Sequence, residues 1–153
     1  MLKKKKGISL LEIMLTLTVA AGILAIAVRF YNYTEYERKT NDLVQQISAI
    51  KVALNSWYVR VGSLSGATIS NLITQNFLPM GSDKSPWGGS ITVQPFIAVH
   101  ANRASISADD LSTTACKVLT RNFPVGQNGV LASQCQSNNN NAVVDYIVII
   151  QVE

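Results

Sequence analysis

Three groups of residues in this chain are of types that do chemistry. Glu12 is a lone carboxylate inside an apolar run, Cys116 and Cys135 are the only two thiols, and His100, Asp109 and Asp110 are the side chains nearest to an acid–base set. His100 is the single histidine and adjoins Val99, a setting that suits a structural or exposed residue better than a general base. Asp109 and Asp110 are neighbours, so their side chains diverge. With Ser107 close by, they read as a helix N-cap before Leu111 rather than as paired acid and base. The sequence contains no GxxxxGK loop, no GxGxxG after a strand and no HExxH, so nucleotide and zinc chemistry have no support. We expect no enzymatic activity, no cofactor and no metal.

Glu12 requires more explanation. From Ile8 to Val28 the chain reads ISLLEIMLTLTVAAGILAIAV, with no proline and one charge. Such a run of about 21 residues suffices for a helix to cross ~30 Å of hydrocarbon. An ionised carboxylate inside it is costly unless it is paired or protonated, so Glu12 is by default functional with a partner to name. The plainer account has it snorkelling at headgroup level. A cleaved secretory signal fits poorly, because Ala25 to Ala27 is followed by Arg29, Phe30 and a continuing helical pattern rather than by a cleavage site.

The chain has 153 residues, enough for one domain with a modest core. Its formal charge of +4 is equal to the charge of Lys3, Lys4, Lys5 and Lys6 together, and the rest of the chain is balanced. The remaining basic residues are scattered from Arg29 to Arg121, with only Arg38 and Lys39 adjacent, which argues against a nucleic-acid surface. Four lysines ahead of an apolar span hold that end on the cytoplasmic side, so the expected topology is single-pass, N-in and C-out. The cysteines then lie in an exported, oxidising compartment, where we read Cys116 and Cys135 as a disulfide. Two buried free thiols and a metal site are the weaker alternatives, the latter because no second Cys pair or His at ligand spacing accompanies them.

The segment KKKKGISLLEIMLTLTVAAGI resembles the class III signal of type IV pilins: a short basic leader ending in Gly, an apolar residue, then Glu one helical turn on. Here these are Gly7, Ile8 and Glu12, and Lys3 to Val28 carries the resemblance. It implies that a prepilin peptidase cuts between Gly7 and Ile8 and methylates the new amino group of Ile8. It also implies that Glu12 pairs with that amine on a neighbouring subunit and so sets register in a filament. The two charges would be desolvated together, where either alone would be strongly penalised. The implied partners are identical subunits, the peptidase, an inner-membrane assembly platform with its ATPase, and the membrane before assembly, with no nucleic acid. The chain would then pass from the inner membrane to an extracellular pilus serving attachment, aggregation or mating contact.

These residues demand a scaffold. Leu43, Ile47, Ile50, Leu54, Trp57 and Val61 recur at spacings of four and three, an amphipathic stripe continuing the apolar helix. One helix from Ile8 to about Val61 would be on the order of 80 Å long, its first half needing lipid or sister helices and its second half packing on a sheet. Gly62, Ser63, Ser65 and Gly66 end it. Ile69 to Asn76 reads as a short helix closed before Pro79. Ser85-Pro86-Trp87-Gly88-Gly89 is turn chemistry leading into a strand at Ile91 to Val93, with others near Phe96 to Val99 and Ala104 to Ile106, a meander. Leu111 to Leu119 has helical spacing, Arg121 to Ser133 reads as irregular, and Val143 to Val152 is the strongest strand, set off by the polar run Asn138 to Asn141 and expected inside the sheet.

The expected fold class is α+β: a long N-terminal helix packed on an antiparallel sheet, with a C-terminal region bounded by the disulfide. Its parts are a leader over 1–7, a transmembrane and filament-core helix over 8–28, and the helix continuation with an exported domain over 29–153. The element order resembles the type IVb branch, especially thin-pilus pilins of conjugative plasmids and their enterobacterial relatives, in which the disulfide-closed region forms exposed filament surface. A pseudopilin of a type II secretion system, or a minor pilin, would share the processing signal. A signal-anchored periplasmic enzyme or binding domain is the third reading, and it predicts that Met1 to Lys6 are retained.

Overall fold

No proline interrupts the chain between Leu10 and Val61, and Leu, Ala and Ile dominate its first half. That composition favours helix throughout. In the computed structural model, which describes residues 10–96, 101–137 and 144–152, the result is α1, Leu10–Val61, a helix of 52 residues. The hydroxyls of Thr16 and Thr18 donate back to the carbonyls of Ile13 and Leu15 at 2.9 and 2.8 Å, so neither brings an unsatisfied donor into the apolar stretch. The helix stops where Gly62 takes φ +79° and its N–H donates to the Tyr58 carbonyl at 2.7 Å, a left-handed cap that glycine adopts without strain.

By internal contacts the chain forms two units, Met1–Arg38 and Lys39–Glu153. The first is helix. The second combines the Lys39–Val61 part of α1 with α2 (Ile69–Thr74), β1 (Ile91–Pro95), β2 (Arg103–Leu111), α3 (Thr113–Asn122), β3 (Val130–Ser137) and β4 (Val144–Gln151). The four strands form one antiparallel sheet in the order β1-β2-β4-β3. β4 is central, as its β-branched run predicts, and Val144, Tyr146, Val148 and Ile150 alternate inward.

The core lies between that inner face and the buried stripe Leu43, Ile47, Ile50 and Leu54 of α1. Small and large residues interlock across the sheet: Ala104 stands opposite Ile150, Ile106 opposite Val148 and Ala108 opposite Tyr146. Trp57 packs half-buried against the core, with its ring 5.8 Å from that of Phe77, whereas Val61 is exposed because the helix ends there. The anticipated α+β arrangement of helix, antiparallel sheet and single disulfide is therefore present.

Several local expectations need correction. Asp109 and Asp110 belong to β2, not to a helix cap. Ser112 is the N-cap of α3, its side chain accepting from the Ala115 N–H at 3.2 Å. Leu111 closes the strand rather than opening the helix, and a register shift between Ala108 and Leu111 accommodates Asp110 at φ +60°. The stretch Arg121 to Ser133 is not irregular throughout: its end belongs to β3, an edge strand whose polar sequence conceals it. The three-strand meander is replaced by a β1–β2 pair with β4 inserted before β3. β1 ends at Pro95, the expected strand near Phe96 to Val99 lies outside the described residues except for Phe96, and the run Asn138 to Asn141 lies wholly outside them. α2 is two residues shorter than expected because Asn76 turns left-handed at φ +59°.

Candidate functional site

The apolar part of α1 is built to be covered. An 18-residue window of this helix has a mean hydropathy of 2.3 and none of it is buried, so it is long and apolar enough to cross a membrane. Leu10, Leu11, Met14, Leu17, Ile23, Leu24 and Ile26 all point outward, in every direction around the axis. Glu12 sits exposed near the start of the described helix. It is the sole ionisable residue from Leu10 to Val28. Lys3, Lys4, Lys5, Lys6, Gly7 and Ile8 lie outside the described residues.

Past the span the helix surface becomes aromatic and charged, with Phe30, Tyr31 and Tyr33 exposed. The Tyr33 phenol hydrogen-bonds the Glu37 carboxylate one turn on, which pushes its pKa up.

The second unit contains the disulfide. Cys116, fully buried on α3, is bonded to Cys135 on β3 with their α-carbons 6.0 Å apart. α3 places Cys116 by its amphipathic turn, Ala115, Cys116 and Leu119 facing inward. β3 places Cys135 opposite Tyr146 in the pairing with β4. Two residues earlier, the Ser133 hydroxyl lies 3.0 Å from the Tyr146 hydroxyl. Burial pushes the Tyr146 phenol up, and the Ser133 hydrogen bond offsets part of the shift.

Between α3 and β3 the segment Pro124–Gly129 folds beside α1 and walls a cleft of about 770 Å³, with Lys51, Val52 and Asn55 on its helical side. The Lys51 ammonium donates to the Asn128 carbonyl, which ties this loop to the helix. Another cleft, of about 370 Å³, lies between Asp42, Gln45 and Gln46 of α1 and the Pro79–Ser82 turn. Neither was foreseen from the sequence. The Pro and Gly content of 124–129 marks a turn, but which helix face it meets depends on the tertiary fold.

The described acid–base candidates, Asp109 and Asp110, do not form a paired acid and base. Asp109 accepts from the Ser90 hydroxyl at 2.6 Å, Asp110 is the next residue of the same strand, and His100 lies outside the described residues. Among the described residues, no three His, Cys, Asp or Glu side chains cluster as metal ligands would. Neither a protein-family model nor a curated protein sequence matches the chain.

Proposed function

We propose that the chain is a structural subunit of a type IV pilus. It is cut by a prepilin peptidase between Gly7 and Ile8, methylated on Ile8, and polymerised through its N-terminal helix into a surface filament for attachment, aggregation or mating contact. The observation that carries this reading is the first part of α1: an apolar helix exposed on all sides, with one carboxylate near its described start and four lysines ahead of it in the sequence. Lipid covers such a helix before assembly and sister helices cover it afterwards. Within the filament core the Glu12 carboxylate pairs with the methylated amine of Ile8 on a neighbour, so burial of either charge requires the other. The platform and ATPase that extract the subunit from the membrane are separate proteins.

The disulfide-closed α+β unit supports the same reading, because a stable disulfide suits the oxidising compartment into which the part beyond an N-in span would be exported. The test is intact mass and N-terminal analysis of the protein in the sheared extracellular fraction and in the inner membrane. An abundant sheared species beginning at methylated Ile8 is expected. A cleaved species confined to the membrane would instead make the chain a pseudopilin or minor pilin. Retention of Met1 to Lys6 would make it a signal-anchored periplasmic domain.

A further inference from the structure

We infer that the two clefts flanking the Lys39–Val61 part of α1 are the two halves of one contact between successive copies of this chain: the Pro79–Ser82 turn of one copy seats in the cleft bounded by Lys51, Val52 and the Pro124–Gly129 loop of the next. This rests on the filament-subunit reading and names the contact made outside the apolar helix.

The geometry starts from the helix. At 3.6 residues per turn, Leu43, Ile47, Ile50 and Leu54 fill one third of the circumference of α1 and face the core. Ser48, Lys51, Val52 and Asn55 take another third and line the larger cleft. Asp42, Gln45, Gln46 and Ala49 take the remaining third and line the smaller one. One copy thus carries two unlike patches, separated by roughly a third of a turn. Unlike patches that match each other join head to tail and do not close after two copies.

One patch projects an apolar side chain, the other has an apolar wall, and the two carry opposite charges. Met80 is 93% exposed, the most exposed large apolar side chain among the described residues of this unit. The turn that presents it is anchored on both sides: Leu78 and Ser82 are buried, the Ser82 hydroxyl donates to the Pro79 carbonyl at 2.9 Å, and Gly81 takes φ +88°. The held turn loses little backbone freedom on docking, so the ordering cost falls mainly on the Met80 side chain. The larger cleft offers Val52, Val130 and Val152 as apolar wall. Asp42 accompanies Met80 on its side, and Lys51 accompanies the cleft on the other. Lys51 gives one hydrogen bond to Asn128, and an ammonium has three donors, so it retains the capacity to meet a carboxylate.

The test uses the full chain assembled in its native cells, carrying Met80→Cys together with Val52→Cys. Both native cysteines are in the disulfide, so the introduced thiols are the reactive ones. Mild oxidation of sheared filaments is expected to give a covalent ladder of dimers, trimers and higher species, and each single variant is expected to give none. Separately, Asp42→Lys and Lys51→Asp are each expected to lower filament yield by roughly tenfold or more, and the double exchange to restore it. Filaments of the double-cysteine variant at normal yield that remain monomeric after oxidation would overturn this contact and leave the pilin reading standing. Absence of the wild-type chain from any extracellular filament would remove both.

Discussion

The Ser133 and Tyr146 hydroxyls meet at 3.0 Å across the β3–β4 pair, joining an edge strand to the central one through the only polar side-chain atom of a fully buried aromatic residue. Burial raises the Tyr146 pKa above its ordinary value of 10.0, more than the hydrogen bond to Ser133 lowers it. A phenol whose folded pKa is raised contributes stability that is fully present below pH 10 and is lost as pH climbs through the folded value, because the unfolded chain ionises first. The denaturation midpoint of the detergent-solubilised chain should therefore fall above about pH 10. In Tyr146→Phe that alkaline decline should be shallower; an unchanged slope would show that Tyr146 is not its source.

Gly129 and Gln151 approach so closely that a side chain on Gly129 would meet the Gln151 carbonyl, and Gly129 also holds φ +74°. Gly129→Ala therefore has to move the β4 backbone as well as bear left-handed strain. Gly126 shares the positive φ, at +84°, but a Cβ there meets nothing within 4 Å. Urea denaturation should place Gly126→Ala about 1 kcal/mol below the parent, and Gly129→Ala lower still by at least about the same amount. Equal losses would show that strain alone matters.

The Cys116–Cys135 bond closes a separation of 19 residues. On the chain-entropy account, replacing both cysteines with serine should cost about 3 kcal/mol. Chemical denaturation of the full-length protein in micelles checks this. A loss well below that figure would mean that the reduced chain keeps the loop ordered by other contacts, such as the β3–β4 pairing, the Lys51–Asn128 bond and the Ser133–Tyr146 bond.

Glu12→Ala should leave cleavage after Gly7 intact, because the leader and junction are unchanged, but abolish filaments or disturb their register. Processing is read from the mass of the membrane-bound chain, and assembly from sheared protein. Normal filaments at normal yield would remove the proposed pairing with the amine of Ile8.

The long helix, the central β4 strand and the disulfide were legible in the sequence because each depends on local signals: an unbroken apolar run, a β-branched cluster, and a single thiol pair. β3 was not, since Val130–Ser137 is rich in Ser and Gln and is a strand because β4 supplies its hydrogen bonds. Asp109 and Asp110 misled for a related reason. Acidic residues ahead of a helical pattern resemble a cap, yet Ser112 lies closer to the first turn and takes that place, while pairing with β4 resumes at Leu111. Glu12 could be singled out from its neighbours alone. The clefts beside α1 could not, because their walls come from segments far apart in the sequence.

A subunit of the proposed surface fibre would have to bear tension, and the sheet order decides where it would tear. β3 is an edge strand, held by hydrogen bonds on one side only, the kind of element that peels one rung at a time under load. Cys135 lies toward the C-terminal end of β3 and is bonded to α3, so peeling from that end meets a covalent tether within two residues of Ser137. The disulfide is then a mechanical stop as well as a thermodynamic one: extension beyond it must dislodge α3, whose Leu119 and Cys116 are fully buried, so the load passes from a weak edge into the core.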